Sequence, residues 1–164
     1  MHIDIDIVDA RWNDALDLEA ISGVALRTIC KRLELDADDC EVSILACDDA
    51  RIKELNADFR EKDKATNVLS WPAQERGADE GCVPQLPEAD VFGTIELGDI
   101  AISYDTCDAE ARDAGKPFEH HVTHLTVHGI LHLLGYDHIS DADASLMEQL
   151  ESELLETLGI PDPY

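Results

Sequence analysis

Between Pro117 and Gly135 the chain reads FEHHVTHLTVHGILHLL, and its apolar residues (Phe118, Val122, Leu125, Ile130, Leu131, Leu133, Leu134) point to several sides of a helix. Such a helix cannot lie on a surface. The pattern predicts a buried central helix over 118–134, with Pro117 suited to its first turn and Gly135 to a left-handed stop. Everything else must pack around it.

Two histidines in this helix, His128 and His132, lie four residues apart, so their rings share one side about 6 Å apart. After Gly135, the short turn Tyr136–Asp137 can carry His138 back towards the same point. This H-x3-H-x5-H spacing lets three neutral imidazoles hold one tetrahedral ion and leaves its fourth position open. His124, one turn before His128, is a weaker candidate on the same face. His2, His120 and His121 read as ordinary satisfied core histidines. Asp137 either orients a histidine or is a plain turn aspartate.

Helical zinc proteases follow their first histidine with a glutamate that moves the proton during peptide hydrolysis. Here that position is Gly129. Losing a positioned acid–base group costs about 10²–10⁴ in rate, and a peptide's amine leaving group must be protonated. A phosphodiester asks chiefly for charge on its phosphoryl oxygens, so Gly129 shifts the expectation towards phosphoryl chemistry.

An anionic substrate must overcome the chain's own field. Twelve Lys and Arg face 37 Asp and Glu, a net charge of −25, which repels nucleic acid at long range. The exception is Arg51–Lys64, where five basic residues stand against four acids. Within it, Arg60 could grip a phosphate through two hydrogen bonds, and Lys62 and Lys64 could face one way. A solvated loop with internal ion pairs is the plainer reading. Asn67 and Ser70 suit a sugar–phosphate backbone or ordinary turn and strand roles.

The remaining pattern is that of one domain over residues 1–164. Ile3, Ile5 and Ile7 alternate with aspartates in a strand over 2–9, which does not read as a signal peptide. Apolar positions 18, 21, 25, 29 and 33 predict a helix from about Asp14 to Leu33. Val42, Ile44 and Ala46 mark a second strand. Asp48 or Asp49 caps a helix that buries Ile52, Leu55 and Phe59. Short strands follow at Val68–Trp71 and 93–103, separated by a Gly-, Pro- and acid-rich segment, 73–91, expected to be a mobile surface loop. Residues 104–114 read as a helix ended near Gly115. Ser140 with Asp143 signals the last helix, whose inner stripe is Met147, Leu150, Leu154 and Leu158. The order suggests an α+β or α/β sandwich with a small sheet. Five scattered cysteines without a C-x-x-C pair argue against a disulfide framework and fit a reducing cytoplasm. No apolar run approaches the roughly 20 residues that span a bilayer.

Four blocks carry a resemblance: KDKATNVLSWP (62–72), LGDIAIS (97–103), HGILHLLGYDH (128–138) and LESELLETLGIPDPY (150–164). In this order they resemble the YbeY family of single-strand endoribonucleases, also called rRNA maturation factors. Ala65 stands where that family commonly has proline, and Trp71 where it has phenylalanine. The resemblance implies a single-domain α+β fold, one zinc ion per chain on His128, His132 and His138, and a basic residue, Arg60, facing the metal cleft. It also implies processing of ribosomal RNA, notably the 3′ end of the small-subunit RNA, and a part in ribosome quality control. Its expected partners are the small ribosomal subunit, one of its proteins and an assembly GTPase. Arg60 and His128 are then the catalytic candidates. The general base stays open among metal-bound water, Asp137 and the RNA's own 2′-hydroxyl. The rival reading is a non-catalytic ribosome-assembly factor with a structural metal.

Overall fold

The computed structural model describes residues 1–164. The alternating start of the chain forms strand β1 (His2–Ile7), and the second apolar alternation forms β2 (Cys40–Cys47). β3 (Val68–Pro72) and β4 (Ile95–Ser103) complete a four-stranded sheet in the order β1-β2-β4-β3. β1, β2 and β4 are parallel, while β3 runs antiparallel along the edge, with Ser70 opposite Ile100. The fold is α+β with a mixed sheet.

The expected helix from Asp14 to Leu33 is two helices. α1 (Arg11–Ala15) ends at an extended Leu16, and α2 (Leu18–Leu33) starts afresh where the Asp17 carboxylate accepts a hydrogen bond from the Ala20 amide. The break lets Trp12 turn inward. Its ring is fully buried, and its indole N–H donates to the Cys47 carbonyl at 2.9 Å, satisfying the one polar group such a ring carries.

α3 (Asp49–Arg60) is capped by Asp48, whose side chain accepts from the Arg51 amide. Ile52 is buried and Leu55 partly so, but Phe59 is 63% exposed, contrary to the expected apolar face. The last turn of α3 stands off the sheet across an open groove lined by Leu45, Trp71 and Ala101, so Phe59 meets only the edge of Trp71, at 5.7 Å between centroids. Asn56 is buried in its place. Its amide donates to the Lys64 carbonyl and ties the returning chain to the helix.

α4 (Tyr104–Asp113), α5 (Phe118–Leu133) and α6 (Asp141–Thr157) follow β4. α5 packs against α2, α4, α6 and the sheet, which is why its apolar residues point to several sides and, beyond Phe118 and Glu119, only its histidines stay half-buried. Val122, Leu125, Val127, Ile130, Leu131 and Leu133 are all buried, each contributing about 2 kcal/mol. Sheet residues Val42, Ile44, Ile100 and Ile102 meet this layer from below. Cys30, Cys40, Cys47 and Cys107 are buried free thiols, and Cys82 is exposed. No helix is long and apolar enough to cross a membrane.

Residues 73–91 contain no helix or strand. They are nevertheless held at Arg76, whose guanidinium donates to the carbonyls of Leu133, Glu96 and Leu97. That contact caps the end of α5 and brings the Arg76 backbone over Gly135. Gly135 has φ of +101°, and a β-carbon there would lie 2.4 Å from the Arg76 carbonyl oxygen. The left-handed turn and the close approach both require glycine.

Candidate metal centre

His128 and His132 project from successive turns at the end of α5, and their Nε2 atoms lie 3.0 Å apart. The turn after Gly135 returns His138 beside them, with ring centroids 5.3 Å from His128 and 5.0 Å from His132. One nitrogen from each ring falls within a 4.8 Å set. A tetrahedral ion with bonds of about 2.05 Å needs nitrogens about 3.3 Å apart, close to the 3.0 Å between the Nε2 atoms of His128 and His132.

The outer nitrogens explain why the inner ones are free. His132 Nδ1 donates to the Tyr136 carbonyl at 2.8 Å, and His128 Nδ1 donates to Glu151 Oε1 at 2.5 Å. A proton on each Nδ1 leaves a lone pair on each Nε2. Two lone pairs cannot face one another at 3.0 Å; either a shared proton or a metal cation lies between them, and the second is the sense in which these residues fit a metal. Burial, followed by the neighbouring His128, pushes the His132 pKa down to about 4, so its ring stays neutral and able to ligate.

Glu151 was not anticipated from the sequence. It is a fully buried carboxylate in the middle of α6, contacted by His124, His128 and Tyr164. Burial raises its pKa, but the hydrogen bonds from His124 and His128 outweigh this and hold it down to about 2. The available signal was its position, one turn after Met147 and three residues before Leu154 on the apolar stripe of α6. His124 therefore faces Glu151 (2.9 Å from its Nε2) as a neighbour of the centre. His2 is exposed, His120 is half-buried, and His121 bonds to Glu110, so none of the three is a fully enclosed core histidine.

These two groups contribute to the acid stability of the metal-free protein. Between pH 6.5 and 4 the unfolded chain binds a proton at His132 that the folded chain refuses, so stability falls as pH drops through that window. Below pH 4.5 Glu151 acts in the same direction, because its carboxylate is protonated more readily unfolded than folded. Urea denaturation of metal-free protein should show about 2 kcal/mol lost between pH 7 and pH 5 from His132 alone. A midpoint that does not move would contradict the buried neutral ring.

A cleft of about 690 Å³ opens beside the three histidines. Arg60 and Lys62 reach it from the end of α3, with Asn67 just before β3, Ser70 on β3 and Asp137 in the turn after α5. Arg60 donates to the Ser70 carbonyl at 2.6 Å. Arg51 and Lys53 pair with Glu54 and Asp63, whereas Arg60 and Lys62 have no carboxylate within 4.0 Å. Lys64 does not line the cleft, so the expected Lys62–Lys64 face is Lys62 alone. The Asn67 amide donates to Glu110, and the Ser70 hydroxyl donates to the Gly129 carbonyl, so both side chains already have structural partners. Asp137 accepts from the Ile139 amide, an ordinary turn contact, and the Tyr136 carbonyl orients His132 instead.

Gly129 faces the sheet. A β-carbon there would lie 3.1 Å from Ile100 Cδ1 and 3.4 Å from Ser70 Oγ, so even a methyl group would require the Ile100 side chain to give by a few tenths of an ångström, and a longer side chain would require more.

A family model described as "Endoribonuclease YbeY" matches residues 7–159. The chain belongs to the YbeY family. Among its relatives, the protein named "Endoribonuclease YbeY" from Ruegeria sp. is 59% identical over all of this chain and 96% of its own length. The proteins of that name from Ruegeria pomeroyi and Dinoroseobacter shibae are each 53% identical, over 98% and 90% of their own lengths and 100% and 99% of this chain. The solution structure of a Thermotoga maritima protein shares the fold with a TM-score of 0.56 at 23% identity, covering 96% of this chain and 91% of the other. The YbeY blocks 62–72 and 128–138 thus line one cleft, the first bringing Arg60's neighbour Lys62 and the second the three histidines.

Proposed function

We propose that the protein is a zinc-dependent endoribonuclease that cuts single-stranded segments of ribosomal RNA precursors, among them the 3′ end of the small-subunit RNA. One observation carries the reading: a three-imidazole centre shares a cleft with Arg60, Lys62 and Arg76, against the two carboxylates Glu75 and Asp137, in a chain whose net charge is −25. Such a surface repels RNA everywhere except where positive charge is concentrated. An all-imidazole donor set suits zinc, and three protein ligands beside an open cleft describe a catalytic site better than a closed structural one. That geometry disfavours the rival reading of an assembly factor with a structural metal.

Arg60 is pre-oriented by the Ser70 carbonyl and can turn its remaining N–H groups to a phosphodiester oxygen, while Lys62 adds charge along the strand. His128, His132 and His138 would hold the zinc, with the Tyr136 carbonyl fixing the tautomer of His132. When bound, zinc supplies Lewis-acid charge to the phosphoryl oxygen. The context of the reaction is the cytoplasm, with the small ribosomal subunit, one of its proteins and an assembly GTPase as partners.

The test is cleavage of single-stranded RNA by purified protein, by the same protein stripped with a chelator, and by the stripped protein reloaded with zinc. Activity should vanish and return. Cleavage that survives stripping would defeat the reading. RNA binding should be weak and steeply salt-dependent, and Arg60→Glu should weaken it by ten-fold or more, well beyond an acid-to-neutral change elsewhere on the surface. Equal effects from scattered substitutions would remove Arg60 from the site.

A further inference from the structure

A second convergence of potential ligands, His124, His128 and Glu151, lies directly behind the histidine centre. Its distances are those of hydrogen bonds. Glu151 Oε1 takes His128 Nδ1 at 2.5 Å, while Oε2 takes His124 Nε2 at 2.9 Å and the Tyr164 hydroxyl. A carboxylate with no exposed surface is costly unless every oxygen is satisfied, and here three donors converge on two oxygens.

The third donor arrives by a separate construction. Asp162 Oδ1 accepts from the Ser152 hydroxyl at 2.9 Å and from the Tyr164 amide at 3.0 Å, folding residues 162–164 back along α6. Tyr164 is 57% exposed as a residue, yet its hydroxyl points inward to Glu151 and its ring stands edge-on to His124 at 5.8 Å. A surface tyrosine would not be held in this way for packing alone.

We propose that Glu151 is the positioning residue of the metal centre: it locks His128 in the Nδ1–H tautomer so that Nε2 faces the cleft, and His124 and Tyr164 hold the carboxylate in that pose. Glu151 touches neither substrate nor metal and acts through His128. A carboxylate on the far side of a ligating imidazole fixes its orientation and raises its basicity, and such partners are typically worth 10–100-fold in metal affinity. The inference rests on the metal centre proposed above.

The experiment measures zinc affinity by chelator competition, together with the His128 tautomer by ¹⁵N NMR in the metal-free protein. Glu151→Gln should bind zinc 10–100-fold more weakly and show a population of His128 protonated on Nε2, since an amide can also donate to Nδ1. Tyr164→Phe should weaken zinc several-fold, and Glu153→Gln, which alters an exposed acid paired with Arg32, should change nothing. Unchanged affinity and tautomer in folded Glu151→Gln would overturn the proposal and leave the carboxylate a purely structural group. Should that chain fail to fold, Tyr164→Phe still decides, because it removes one atom from a half-exposed ring: weaker zinc binding supports the lock and equal binding overturns it. A wild-type chain with His128 in the Nδ1–H form that takes up no zinc would overturn the metal reading and leave the tautomer lock standing.

Discussion

His132→Ala is expected to lower bound zinc from about one ion per chain to near zero and to cut RNA cleavage by about 10³ or more. His132 is the ligand most committed to its task. Its Nδ1 is held by the Tyr136 carbonyl, and its Nε2 faces that of His128 at 3.0 Å. Its depressed pKa keeps the ring neutral well below physiological pH. Removing it leaves two imidazoles, too few for a firm tetrahedral site. Losing Lewis-acid stabilisation of several kcal/mol corresponds to three or more powers of ten in rate. Metal analysis alongside single-turnover cleavage measures both losses. The fold should survive, because the ring lies at the cleft and the substitution removes side-chain bulk without adding any. A His132→Ala protein that keeps its zinc and its activity would place the reaction elsewhere.

Gly129→Glu, which would spell out the protease motif, is expected to destabilise the protein by more than about 3 kcal/mol and to confer no peptide turnover. The helix face at residue 129 rests on β3 and β4, with Ile100 Cδ1 3.1 Å and Ser70 Oγ 3.4 Å from where a β-carbon would stand. A glutamate there must bury a carboxylate between α5 and Ile100 of β4 or pry the helix off the sheet, and it would disturb the hydrogen bond from the Ser70 hydroxyl to the Gly129 carbonyl. Buried unpaired charge and overpacking are among the few mechanisms that reach this size. Urea denaturation should show an early midpoint. A stable, folded Gly129→Glu protein that hydrolyses peptides would refute this account of why glycine is there. Gly129 thus answers two demands, the tight seat of the central helix and the absence of a proteolytic base.

Much of the site was legible before any coordinates because its spacing is local. His128 and His132 are joined by one helical turn, and His138 by a turn that Gly135 makes possible; such geometry follows from the chain's own pitch. The α6 stripe and the Ser140 cap were readable for the same reason. Trp12 and Phe59 were not. Hydrophobicity says that an aromatic ring prefers cover, but only the arrangement of neighbouring elements says whether cover exists. The break at Leu16–Asp17 turned Trp12 inward, and the lift of α3 from the sheet left Phe59 outside.

What the sequence by itself determined is the trio of imidazoles, the glycine stop between them and the lack of a glutamate beside the first, because helical pitch and turn chemistry act over a few residues. Tertiary structure alone decided that Arg60 and Lys62 share a cleft with that trio, and that Glu151 and Tyr164 stand behind it. Those pairings join residues 13 to 78 positions apart. They exist because most of α5 is buried, so that β3 and α6 each pack a different part of the chain against it beside the cleft.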